Sequence, residues 1–118
     1  EIDLEKWKIV DRFKGGAGPY NLDITPDGSK LVVSYKSDGS TGVWDLKKKK
    51  EIARIDNIRK VTHGVAMSPD SRYAFVSVEG IGGEPGTMEV IDLKKGERVA
   101  YAELGKQAGG IAFWKMVE

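Results

Sequence analysis

Residues 62–93 read THGVAMSPDSRYAFVSVEGIGGEPGTMEVIDL, and most of this stretch occurs twice in the chain. It holds three short apolar runs, broken by a Ser68-Pro69-Asp70 turn and by a glycine-rich loop over 79–86. Upstream, Leu22-Asp23-Ile24-Thr25-Pro26-Asp27-Gly28 matches Val65-Ala66-Met67-Ser68-Pro69-Asp70-Ser71 at a spacing of 43. Leu31-Val32-Val33-Ser34 matches Ala74-Phe75-Val76-Ser77 at the same spacing, and Val43-Trp44-Asp45-Leu46 matches Val90-Ile91-Asp92-Leu93 at 47. The second copy therefore carries an insertion before its closing strand. Ile2-Asp3-Leu4 repeats that closing strand once more, and 109–116 repeats the opening, with Ile111 and Phe113 in place of Val65 and Met67.

A period of about 40 to 50 residues with several strands per unit points to a β-propeller, because each unit is one small sheet that must stack on its neighbours. The reading is all-β: a partial propeller of four-stranded antiparallel blades, two full blades plus parts of flanking ones. Strands are predicted at 8–13, 20–24, 31–35 and 42–46, then at 51–55, 61–67, 72–78 and 87–93, and in the third unit at 97–102 and 109–115. Proline at the first corner of Thr25-Pro26-Asp27-Gly28 presets φ, and the glycine permits a positive φ. The whole of 1–118 is taken as one partial propeller module. Residues 1–4 close a preceding blade, 5–46 and 47–93 are blades, and 94–118 form the first half of the next. Closing a ring of six to eight such blades takes roughly 260 to 350 residues, so this chain is expected to be a C-terminal portion of a longer protein. The expected partners are other blades, from the rest of a parent chain or from further copies.

With 19 basic against 18 acidic side chains there is no bulk charge to attract nucleic acid. The absence of cysteine excludes disulfides, thiolate metal sites and a cysteine nucleophile. No apolar run approaches the ~20 residues of a membrane span. The glycines of 14–19 (KGGAGP) make a turn, since no helix is predicted to follow as a phosphate loop requires. Ser-His-Asp spacing, a Gly-x-Ser-x-Gly elbow and paired histidine ligands are missing, so no catalytic residue is assigned and no cofactor is expected.

The repeated core, apolar residues before Ser68-Pro69-Asp70, then Phe75-Val76-Ser77, then Val90-Ile91-Asp92-Leu93, resembles the YVTN-repeat family of β-propellers. Its first copy supplies Thr25-Pro26-Asp27-Gly28 and Val43-Trp44-Asp45-Leu46. That family is similar to surface-layer proteins, lactonase-like propellers and the haem-binding propeller of some nitrite reductases. The resemblance implies a blade and favours an extracytoplasmic setting, periplasmic or cell-surface. Val43-Trp44-Asp45 also resembles a WD-repeat ending, although Gly-His stands reversed as His63-Gly64.

His63 is the only histidine, and it takes the place of Tyr20 in the first unit. A packing role at the end of a blade is the plain reading. The sharper one uses meander topology, in which the loops before the second and fourth strands share a face. That brings His63 and Tyr20 beside the loop carrying Glu79 and Glu84, as a ligand-binding group; His63 is also the one metal-ligand candidate. Imidazole with a carboxylate can bind a cation or transfer protons. Ile81 can plug a neighbouring surface. Lys47, Lys48, Lys49 and Lys50 are either a solvated turn or an anion-facing surface. Trp7, Trp44 and Trp114 are read as fillers between blades, and Asp45 and Asp92 as acceptors of turn hydrogen bonds. The leading function is a non-catalytic binding or scaffold module recognising a protein, glycan or small ligand through this loop face. The alternative is part of a lactonase-like or haem/metal-binding enzyme whose site is completed by absent blades.

Overall fold

The computed structural model describes residues 1–117. The strands are β1 (Ile2–Asp3), β2 (Lys8–Ile9), β3 (Pro19–Ile24), β4 (Lys30–Tyr35), β5 (Ser40–Asp45), β6 (Lys50–Asp56), β7 (Val61–Met67), β8 (Tyr73–Glu79), β9 (Thr87–Asp92) and β10 (Glu97–Glu103). They form a short β1–β2 ribbon and two antiparallel meanders, β3-β4-β5-β6 and β7-β8-β9-β10.

The sheets begin one strand later than the sequence grouping into 5–46 and 47–93. Lys50–Asp56 pairs with Ser40–Asp45 and completes the first sheet, and Glu97–Glu103 completes the second. The reason is the tight basic hairpin: residues 46–49 reverse the chain with Lys49 at φ 53, so the following strand returns along its predecessor. Periodicity reveals a strand but does not say which neighbour it pairs with. Residues 8–13 likewise contain only the two-residue β2, paired with β1. Residues 104–117 cross the far face of the second sheet in no regular strand.

Each Pro-Asp turn is tied in the same way. Thr25 Oγ1 donates to Asp27 Oδ1 at 2.7 Å, and Lys30 N donates back to Thr25 Oγ1 at 2.9 Å. Ser68 Oγ donates to Asp70 Oδ1 at 2.5 Å, and Tyr73 N to Ser68 Oγ at 2.8 Å. Gly28 at φ 70 and Ser71 at φ 59 occupy the matching left-handed corner. The turns also meet across the sheets, where Asp27 N donates to Ser71 Oγ at 3.0 Å.

The core lies between the sheets. Val32 and Val43, with Ala53 and Ile55 beside them, face Val65, Met67, Ala74, Val76, Val78 and Ile91. Alternation along each strand sends these residues to one face. Strands β3 and β7 pack against each other while β6 and β10 barely meet, so the pair opens as a wedge from inner to outer edge. The tryptophans depart from expectation. Trp44 is half-buried and donates through Nε1 to Tyr35 Oη at 2.8 Å, but Trp7 and Trp114 are exposed. Trp7 sits in the β1–β2 turn at φ 51, which aims it off the sheet, and Trp114 lies on the irregular 104–117 segment.

Candidate functional site

The site is built from a feature that both sheets share. Between Pro19 and Asn21 the first sheet slips register, and between Thr62 and Val65 the second does the same. Such bulges re-aim the extra side chain away from the ladder. Asn21 N donates to Ser34 Oγ at 2.9 Å, and Gly64 N to Ser77 Oγ at 2.9 Å, so a serine one repeat apart satisfies each freed amide. The re-aimed residues are Tyr20 and His63. Their rings meet edge to face with centroids 5.0 Å apart.

Each has a charged companion at the end of the next strand. His63 Nε2 lies 2.7 Å from Glu79 Oε2, and the two side chains are 14% and 27% exposed. A carboxylate only accepts, so Nε2 carries the proton of this contact. Lys36 Nζ stands 4.5 Å from the centroid of the Tyr20 ring, a cation–π distance. Lys36 is the repeat equivalent of Glu79. The structure thus brings together His63, Glu79 and Tyr20, and adds Lys36, which the 43-residue spacing from Glu79 could have revealed.

Glu84 is taken up by its own loop, where Oε2 accepts from Ile81 N at 3.3 Å. That loop is held from both sides. Arg59 Nε donates to the Pro85 carbonyl at 2.8 Å, and Gly86 exchanges backbone bonds with Leu104 and Gly105. Gly86 is required there, because a Cβ would fall 2.7 Å from Ala108 Cβ and 2.8 Å from the Val78 carbonyl. The apolar Ile81 stands exposed near the loop tip. Among the described residues, no three His, Cys, Asp or Glu side chains converge to hold a metal.

The lysine turn lies at the opposite end of the strands. Lys48 pairs with Asp45 at 3.7 Å, and Lys49 with Glu1 at 2.8 Å and Asp11 at 3.5 Å; Lys47 and Lys50 are exposed. Asp45 Oδ1 accepts from Lys48 N at 2.8 Å, and Asp92 Oδ1 from Lys94 N at 2.9 Å and Lys95 N at 3.1 Å, as turn acceptors should. Burial pushes the Asp92 carboxyl up, but these amides and Arg72 outweigh it and hold it below the usual range.

Sequence reasoning missed the most buried charge. Glu89 on β9 is 0% exposed, yet every oxygen is engaged. Oε1 accepts from Ile58 N at 2.8 Å and Thr87 Oγ1 at 3.1 Å; Oε2 accepts from Asn57 Nδ2 at 3.1 Å and Arg98 at 3.0 Å. Asn57 Oδ1 in turn accepts from Thr41 at 3.0 Å and Thr62 at 2.9 Å. The network joins strands of both sheets to the connection between them. It is saturated, and so suited to holding rather than to chemistry.

Two wedge-packed, four-stranded antiparallel sheets make this chain a portion of a β-propeller. Solved structures share this fold. Hydrazine synthase of Kuenenia stuttgartiensis superposes with a TM-score of 0.71 at 22% identity over 84% of this chain and 27% of its own. The Cps50 (Swd1) β-propeller domain of Myceliophteria thermophila gives 0.70 at 18% identity, over 82% and 29%. U3-55K gives 0.70 at 16%, over 86% and 31%. Among curated proteins, "Protein hir1" of Emericella nidulans is 33% identical over 63 residues, covering 46% of this chain and 6% of that protein. The chain therefore spans under a third of each of these structures and a small fraction of the curated relative. No protein-family model matches it.

Proposed function

We propose that this chain is a non-catalytic binding module of a YVTN-type propeller, recognising a protein, glycan or small ligand through the face that carries Tyr20, Lys36, His63 and Glu79. The observation that carries this reading is the repeated bulge, which turns one ring from each blade toward the other and sets a charge beside each. An exposed tyrosine, an ammonium and an imidazole suit recognition by stacking and hydrogen bonding. The tethered 80–86 loop gives that face a fixed rim, with Ile81 as an apolar contact. Support for the YVTN type comes from Ser68-Pro69-Asp70 and Val90-Ile91-Asp92-Leu93 in the sequence. The test is binding to glycan and peptide arrays by the wild-type chain, Tyr20→Ala and His63→Ala. Loss of a selective signal in both variants, with melting temperatures within a few degrees, is expected. A signal indifferent to both sinks this placement. Haem or zinc binding that His63→Ala abolishes moves the assignment to the metal-binding alternative.

A further inference from the structure

The position that carries Tyr20 and His63 recurs a third time. Ile111 and Phe113 stand for Val65 and Met67, so Gly109 stands for His63. Where the first two repeats present a ring, the third presents no side chain. The segment is nonetheless seated on the second sheet. Phe113 stacks on Phe75 with centroids 6.3 Å apart. The Gly109 carbonyl accepts from Gly64 N at 3.2 Å and from Ser77 Oγ at 2.5 Å. Those two donors belong to the bulge that turns out His63 and to the serine that holds it, so Gly109 is fastened directly beside His63.

The fold does not require glycine at 109. The close approach constrains Gly64 instead, whose Cβ would fall 2.9 Å from the Gly109 carbonyl and 2.9 Å from Ser77 Oγ. Within 4 Å, a Cβ on Gly109 would meet one atom, the Gln107 carbonyl oxygen at 4.0 Å. Its backbone also lies outside the left-handed region that favours glycine. Glycine loses more conformational freedom on folding than any other residue, so here it costs stability and leaves open space beside the imidazole. The charge next to that space is negative. Lys36 stands over Tyr20, in the first sheet, whereas Glu79 is bonded to His63. A carboxylate so placed repels an anionic ring and tolerates a neutral one.

We infer that a protein partner fills the space beside Gly109 with an uncharged aromatic side chain, a tyrosine or phenylalanine lying against His63. The first repeat supplies the precedent, because Tyr20 meets His63 edge to face at 5.0 Å, an arrangement that aromatic pairs prefer. The inference rests on the loop-face reading and narrows its ligand to a polypeptide with one aromatic anchor. Gly109 is then a specificity-determining residue, since any bulk there excludes the anchor.

The test is NMR titration of the 118-residue chain, followed on the His63 ring protons. The probes are N-acetyl-tyrosinamide, N-acetyl-leucinamide and methyl glucoside. The tyrosine probe should shift these signals saturably, and the other two should leave them in place over the same range. Gly109→Tyr supplies the ring from within the chain. It should shift the same protons with no probe present and weaken the tyrosine probe about tenfold or more. A tyrosine probe that leaves His63 unmoved, or that Gly109→Tyr binds as tightly as the wild type, overturns the inference. So does a leucine or sugar probe that matches tyrosine. If Gly109→Tyr does not fold, the three wild-type titrations decide alone. The loop-face reading fails separately. A peptide-array signal lost in Tyr20→Ala and His63→Ala but kept in Gly109→Tyr leaves that reading standing and sinks the inference. A signal indifferent to all three removes both.

Discussion

At the scale of the residue, Asp3, Asp27, Asp45, Asp70 and Asp92 do similar work in five turns. Asp27 shows it most strongly: the Thr25 hydroxyl, then the Ser29 amide, hold its carboxyl down to about 2, below the usual range for an aspartate. The folded value is below the unfolded one, so the ionised group stabilises the native state at pH values above the unfolded pKa. That contribution falls away as pH drops through the folded pKa. We expect the stability difference between wild type and Asp27→Asn to be constant from neutrality down to about pH 4, and to vanish near pH 2. Urea titrations at a series of pH values measure it; a difference unchanged at pH 2 contradicts the turn's hydrogen bonding. Asp70 is lowered for the same first reason, the Ser68 hydroxyl, so Asp70→Asn should show the same direction.

At the scale of the element, the strands were legible and their sheet membership was not. The alternation of Leu22, Ile24, Leu31 and Val33 announces strands because one face must be buried. Lys50–Asp56 alternates in the same way whether it closes one sheet or opens the next, and only the hairpin at Lys49 decides. The Tyr20–His63 equivalence was also readable, because it rests on a spacing. Glu89 was not. Its partners, Asn57, Ile58, Thr87 and Arg98, come from a connection and two strands with no shared spacing, and a glutamate between Met88 and Val90 gives no local sign of burial. Removing this carboxylate leaves the Asn57 amide without its acceptor and Arg98 with the Asp56 carbonyl but no charge partner. Arg98 is partly solvated, so Glu89→Ala should cost about 3 kcal/mol, the low end for breaking a buried pair. Glu89→Gln, which keeps an acceptor, should cost less. Denaturant melts rank the two, and equal losses would mean that volume rather than charge governs the joint.

At the scale of the whole molecule, the two sheets share one core and should unfold together. Ile91, fully buried on β9, belongs to the second sheet, whereas Trp44 reports on the first. Trp7 and Trp114 already stand in water and add little change on unfolding. Ile91→Ala should therefore lower stability by about 2–5 kcal/mol, and Trp44 fluorescence should register the full shift although the substitution lies in the other sheet. A Trp44 transition left in place while circular dichroism moves would mean that the blades melt separately. The paired bulges carry a different consequence. Tyr20 with Lys36, and His63 with Glu79, are the same two repeat positions filled differently, and Ser34 and Ser77 hold the backbone for whichever side chains stand there. The rim of the module thus works like a row of sockets with interchangeable fittings. On the proposed function, exchanging such a two-residue pair would change what the rim binds, while the serines keep the backbone in place.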